Sequence, residues 1–277
     1  MVTKVGAQRG VASGVPFVAV PPETGAGADR VVVAWHLLDP PRTESAMASA
    51  LPLEGLDAWR IYLGLPMSGS RLPAGGFDEL MRLGFEDGVL NIQAPVIDGA
   101  VAEFSEAYAT IRRRLGIGNG PIGVLGGSAG AAAALRVMAE TDVEVAAAVL
   151  VSPLVRLASV VEAMERRFGA PYAWSDASRA VAERLDLVVR AHEIAARQPR
   201  AAFLLVVGAD DDEAGFRAPA SELHDALAAS TNAELVVVPG MEHALAEEPG
   251  IDPAPQTPHA AVVDARTVDW FRRHLER

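Results

Sequence analysis

Apolar residues in this chain fall into short unbroken runs, separated by stretches in which they recur at helical spacing. Val31-Val32-Val33-Ala34-Trp35, Pro121-Ile122-Gly123-Val124-Leu125, Val145 to Val151, Phe203 to Gly208 and Leu235 to Val238 show little apolar–polar alternation. Runs of that length and kind are strands covered on both faces. Val15 to Val20 and Trp59 to Leu63 read as two further strands. Helices are expected at Glu44 to Leu51, Phe77 to Glu86, Val101 to Leu115, Ala129 to Glu140 and Ala220 to Ala229. A closing helix runs to about Leu275, opened by Thr257 as N-cap and Pro258 at the first helical position. Strands and helices in alternation predict an α/β fold with a mostly parallel, doubly wound sheet. No internal repeat and no low-complexity linker interrupts it, so residues 1–277 read as one domain.

One junction in this pattern carries chemistry. Gly126-Gly127-Ser128-Ala129-Gly130 joins a buried strand to an alanine-rich helix and matches G-x-S-x-G, the nucleophile elbow. A serine on such a turn needs small neighbours, because its backbone is pressed between strand and helix. The competing reading is a glycine-rich connection whose serine only caps the helix. Candidate partners follow in the chain. The strand Phe203 to Gly208 ends in Ala209-Asp210-Asp211-Asp212-Glu213, and the next strand ends in Pro239-Gly240-Met241-Glu242-His243. Both acid and base therefore lie just past strand ends, where functional groups collect in open parallel sheets. A serine hydroxyl needs such a base to take its proton, and the base needs a third group to orient it.

With that order of Ser, Asp and His, the chain resembles an α/β-hydrolase-fold serine esterase, of the compact kind related to prolyl-oligopeptidase and dienelactone-hydrolase-like groups. The resemblance runs from about Val31 to Leu275 and is weakest between Pro153 and Arg200. It implies an ester substrate of small-molecule size, cleaved through an acyl-enzyme on Ser128 with His243 as base. Counting from Gly208, the family's acid position falls on Asp211, with Asp210 and Asp212 as rivals. The oxyanion donors it implies are the N–H groups of Ala129 and of Leu38, with Leu37 as the fallback for the second. Here the loop reads His36-Leu37-Leu38-Asp39-Pro40-Pro41, without the glycines that many relatives carry. That departure sets the chain apart from the hormone-sensitive-lipase group. A peptidase or amidase, a thioesterase or an acyltransferase would use the same triad. A non-catalytic ligand-binding protein on this fold is the alternative of another class.

The same resemblance places a lid between the strands at Val145 and Phe203, so 153–200 is expected to form a small helical cap. Phe168, Tyr172 and Trp174 cluster in it, and two readings stand: anchors to the core, or walls of an apolar pocket. Together with His36, Leu37 and Gly127 they make up the expected substrate contacts.

The other histidines point nowhere specific. His192-Glu193 begins like a zinc-protease helix, but Ala196 stands where the second histidine would be, so no metal is implied. His224, His259 and His274 read as ordinary helical residues. No cofactor is implied either. The net charge of −12 disfavours nucleic acid, and Arg112-Arg113-Arg114 reads as the solvated end of a helix. No apolar run reaches the length of a membrane span. The first ten residues lack a continuous apolar segment, which leads to the expectation of a cytoplasmic protein. The absence of cysteine excludes both a disulfide scaffold and a thiolate nucleophile.

Overall fold

A computed structural model describes residues 6–275; residues 1–5, half of the segment read for a leader, lie outside it. Among the described residues, eight strands make one sheet: β1 (Gln8–Ala12), β2 (Val15–Val20), β3 (Val31–Trp35), β4 (Trp59–Leu63), β5 (Ile122–Gly127), β6 (Val145–Val151), β7 (Ala202–Gly208) and β8 (Asn232–Val238). Their order is β1-β2-β4-β3-β5-β6-β7-β8. β1, β2 and β4 pair antiparallel, and every other pairing is parallel. The unbroken apolar runs are the central parallel strands, as two-sided burial requires. β1 was not anticipated. It is mostly exposed, with polar residues outside Val11 and Ala12, and only its antiparallel register with β2 makes it a strand.

Among the described residues, nine α-helices accompany the sheet: α1 (Glu44–Ala50), α2 (Gly76–Gly88), α3 (Ala94–Leu115), α4 (Ala129–Glu140), α5 (Leu157–Phe168), α6 (Asp176–Arg184), α7 (Ala191–Arg197), α8 (Ala218–Ala228) and α9 (Pro258–Leu275). Alternate residues of one strand serve opposite layers. Val31, Val33 and Trp35 of β3 join a core with Phe104 of α3, Leu135 of α4, Ile194 of α7 and Leu223 of α8. Val32 and Ala34 join a second core with Met47 of α1 and with Trp270 and Phe271 of α9. Thr257 caps α9 as expected, accepting from the Ala260 N–H at 3.1 Å. α3 begins seven residues earlier than Val101, because Pro95 occupies its first turn, where a missing N–H costs nothing.

The segment 153–200 divides in a way its composition did not show. α7 is packed against α4 and α8 with Ala191 and Ile194 fully buried, so it belongs to the helical layer of the sheet. α5 also buries Leu157, Val160 and Val161 in that layer's core, but its helical neighbours and those of α6 differ. α5 packs on a π-helical turn at Glu213–Arg217, and α6 on another at Val89–Gln93.

Parallel register aligns the strand ends. Trp35 pairs with Gly126, Gly127 with Val151, Val151 with Val206, and Gly208 with Val238. The order reverses between β3 and β5, so a crevice opens beyond their carboxyl ends. Ser128, Asp211 and His243 follow the carboxyl ends of β5, β7 and β8 on that edge.

Candidate active site

Ser128 sits between β5 and α4 with φ 47° and ψ −117°. An L-residue at positive φ costs about 1–3 kcal/mol and persists only where its surroundings over-determine it. Here they do. The Ser128 N–H donates to the Val151 carbonyl at 3.0 Å, and its own carbonyl accepts from Ala131 at 3.0 Å and Leu154 at 3.2 Å. Small residues let the turn close. A Cβ on Gly130 would lie 2.4 Å from the His36 carbonyl oxygen, well inside contact distance. Ala129 through Ala139 are all buried, so α4 runs directly beneath the sheet.

The turn aims Ser128 Oγ at His243, whose Nε2 lies 3.0 Å away. His243 Nδ1 is 2.8 Å from Asp211 Oδ2. The other Asp211 oxygen accepts from the Asp212 N–H at 2.8 Å, and the carboxylate is nearly sealed from solvent. That places Nδ1–H on the imidazole and leaves Nε2 to accept from the serine hydroxyl. The two loops that bring these groups together are joined by the Asp210 N–H, which donates to Met241 at 3.0 Å. Asp210 itself is exposed. Asp212 turns away: its Oδ1 caps the π-helical turn through the Gly215 N–H at 2.7 Å and pairs with Arg166 at 2.9 Å. Of the three neighbouring aspartates, Asp211 alone reaches the histidine.

Across the serine lies the loop after β3. The Leu37 N–H donates to the Pro41 carbonyl at 3.2 Å and is therefore consumed, which removes the fallback oxyanion donor. The N–H groups of Leu38 and Ala129 make no hydrogen bond among the described residues. His36 explains the direction of the first. It is wholly buried, its Nε2 accepts from the Leu65 N–H at 3.0 Å, and its Nδ1 donates to the Leu37 carbonyl at 2.6 Å. In a trans peptide the N–H points opposite to the C=O, so fixing the Leu37 carbonyl also fixes the Leu38 N–H. Burial, aided by the nearby Arg71 charge and partly countered by the bond to the Leu37 carbonyl, lowers the His36 pKa to about 4 and keeps the ring neutral.

No family model matches the chain, and no curated protein matches it. Solved structures do. The Thermus thermophilus protein TT1662 superimposes with a TM-score of 0.64 at 15% identity, over 98% of each chain. A dienelactone hydrolase from Anabaena variabilis gives a TM-score of 0.57 at 17% identity, over 97% of this chain and 99% of its own. The fold is that of the α/β-hydrolases. A Pyrococcus horikoshii acylaminoacyl peptidase gives 0.67 at 11% identity, over all of this chain but 43% of its own. The chain thus spans less than half of that peptidase.

In this fold, several of the side chains expected to contact substrate are engaged within the protein. His36 is behind the loop, with both ring nitrogens bonded to backbone. Leu37 is fully buried and faces Gly127, where an added Cβ would meet Leu37 Cδ1 at 2.2 Å; the two fill each other's space and leave none for substrate. Phe168 ends α5 with 70% of its surface exposed, beneath the Arg167 guanidinium, apart from the other aromatics. Tyr172 and Trp174 meet edge to face at 4.9 Å and pack as half-buried rings on the main core. The Tyr172 hydroxyl donates to Asp87 at 2.5 Å, so it ties the excursion to the end of α2. Both rings therefore make the contacts expected of an anchor.

Two neighbours of His243 were not foreseen. The ring of Phe216, on the Glu213–Arg217 turn, lies 4.1 Å from the imidazole between centroids. Asp39 Oδ2 lies 3.7 Å from His243 Nε2. Asp39 directly follows the loop donor Leu38, and that adjacency was the available signal. Nothing in composition or periodicity marks Phe216, because a π-helical turn carries no repeat of its own. No group of three or more His, Cys, Asp or Glu side chains suited to a metal occurs among the described residues, and no described helix is long and apolar enough to cross a membrane.

Proposed function

We propose that this protein is a serine hydrolase that cleaves carboxylic esters through an acyl-enzyme on Ser128. The observation that carries the reading is the relay from Ser128 through His243 to Asp211, at 3.0 and 2.8 Å, with two N–H groups unbonded beside it. His243 takes the hydroxyl proton as Ser128 Oγ bonds to the ester carbonyl carbon. Asp211 holds the imidazole in the required tautomer and balances the imidazolium. The Leu38 and Ala129 N–H groups receive the oxyanion, a contribution worth about 3 kcal/mol per donor in enzymes of this kind. The proton then passes to the departing alcohol, and water activated by His243 releases the acid.

Amides, thioesters and acyl transfer fit the same groups, and the named neighbours include both a dienelactone hydrolase and a peptidase. A fluorophosphonate probe followed by mass spectrometry tests the nucleophile. Labelling at Ser128, and a fall of about 10³-fold or more in p-nitrophenyl ester turnover for a folded Ser128→Ala variant, are expected. Absence of labelling would favour a ligand-binding role. Parallel p-nitrophenyl ester, anilide and thioester substrates then rank the acyl donors.

A further inference from the structure

Asp39 is an unusual group to find where it stands. It belongs to the loop that supplies the Leu38 N–H, and its carboxylate faces the same His243 nitrogen that faces Ser128. About half of its side chain is exposed, and it forms no ion pair with arginine among the described residues. Arg42, three residues on, is committed elsewhere: to the Leu38 carbonyl at 3.0 Å, to Glu248 and to the Pro249 carbonyl. Arg166, across the site, is neutralised by Asp212. Asp210 and Glu242, exposed on the two neighbouring loops, add charge of the same sign. The edge around His243 Nε2 is therefore anionic, with Asp39 as its innermost free carboxylate.

Position relative to the reaction gives this charge a direction. For the acyl-enzyme to form, His243 Nε2 must deliver its proton to the leaving oxygen, which brings that oxygen to about 3 Å. With Asp39 Oδ2 at 3.7 Å from the same nitrogen, carboxylate and leaving oxygen lie within roughly 7 Å of each other. A cation carried two carbons beyond the leaving oxygen falls in range of the carboxylate. An anionic alcohol would be repelled.

We infer that Asp39 is a specificity-determining residue that selects substrates whose leaving group bears a positive charge close to the scissile bond. The inference rests on the serine-hydrolase reading. An alkylammonium alcohol is the matching chemical class. Because the carboxylate is half in solvent, its effect is that of an exposed ion pair, about a fivefold preference.

The test compares acetylcholine with its carbon isostere, neohexyl acetate, both as competitors of p-nitrophenyl acetate turnover by the full chain. Wild-type protein is expected to favour the cationic ester, Asp39→Asn to lower the ratio of the two about fivefold, and Asp39→Lys to lower it further. High salt should compress the wild-type ratio toward that of Asp39→Asn, since an exposed pair is screened. Loss of folded protein cancels, because both esters report on the same molecules. An unchanged ratio in Asp39→Asn, or no competition by either ester, overturns the proposal. Either result with Ser128 still labelled by fluorophosphonate leaves the hydrolase reading standing; absence of labelling removes both.

Discussion

Helix α4, which follows Ser128, and the outer helix α2 are nearly equal in length and opposite in character. Every residue of α4 from Ala129 to Ala139 is buried, while α2 buries none of its side chains and exposes Phe77, Met81 and Phe85 at four-residue spacing. α4 is held by packing, close enough to β3 that a single methyl on Gly130 would collide with backbone. α2 is held at its C-terminal end, through Asp87 to Tyr172 and through the π-helical turn that follows. Substitutions beneath the sheet should therefore be costly and specific, and those on the outer surface cheap. Small residues fix the position of Ser128, while large residues farther out remain free to change.

The sharpest way to probe the inner region is the acid. Asp211→Asn should lower the turnover of a p-nitrophenyl ester by about 10³- to 10⁴-fold, since it presents the wrong partner to Nδ1. Asp210→Asn should stay within about twofold, and Asp212→Asn should lose only a surface ion pair and a cap bond. Steady-state kinetics on the three variants decides; equal losses would reassign the acid.

The loop behind the site can be probed through pH. His36 has a pKa lowered by burial from 6.5 to about 4, so between those values the unfolded chain binds the extra proton and the folded one does not. Stability from this group is therefore complete above pH 6.5, falls as pH drops toward 4, and levels off below. The loss is about 3 kcal/mol. Urea unfolding of wild type and His36→Gln at neutral pH and near pH 4.5 isolates it as a difference. A pH-independent difference would show that His36 is reached by solvent.

On α2, Phe85→Ser should change stability by no more than about 0.5 kcal/mol in the same unfolding assay. A larger loss would mean that the 82% exposed ring is covered in solution.

How legible each region was in the sequence follows from the same contrast. The elbow could be read because its constraints are local: a strand period, a run of small residues and a serine between them. Asp211 and His243 could be read because strand ends are marked by Gly208 and Pro239-Gly240. Choosing among three aspartates from residue spacing alone was a matter of position, and only the loop geometry shows which carboxylate turns inward. His36 gave no sign that its ring serves the backbone, because its partner Leu65 lies after a different strand. The aromatics of the excursion could not be assigned from composition, since a ring suits an anchor and a pocket wall equally. Phe168 and Tyr172, four residues apart, end in solvent and on the core respectively. The separation of α7 from α5 and α6 was equally hidden, for all three are amphipathic.

The excursion has one property that reaches beyond this chain. It leaves and re-enters the fold side by side: Arg156 and Asp186 form an antiparallel bridge, the Leu187 N–H donates to Val155 at 2.8 Å, and Leu157 donates back to Leu185 at 3.4 Å. A segment with its two ends clasped in this way behaves as a plug in a socket. Between residues 158 and 184 the segment can change in length at a closure cost that grows only slowly with the number of residues. Such a change would leave the sheet and the Ser128 turn in place but would reach His243 from one side, because α5 packs on the turn that carries Phe216 and its Arg166 pairs with Asp212.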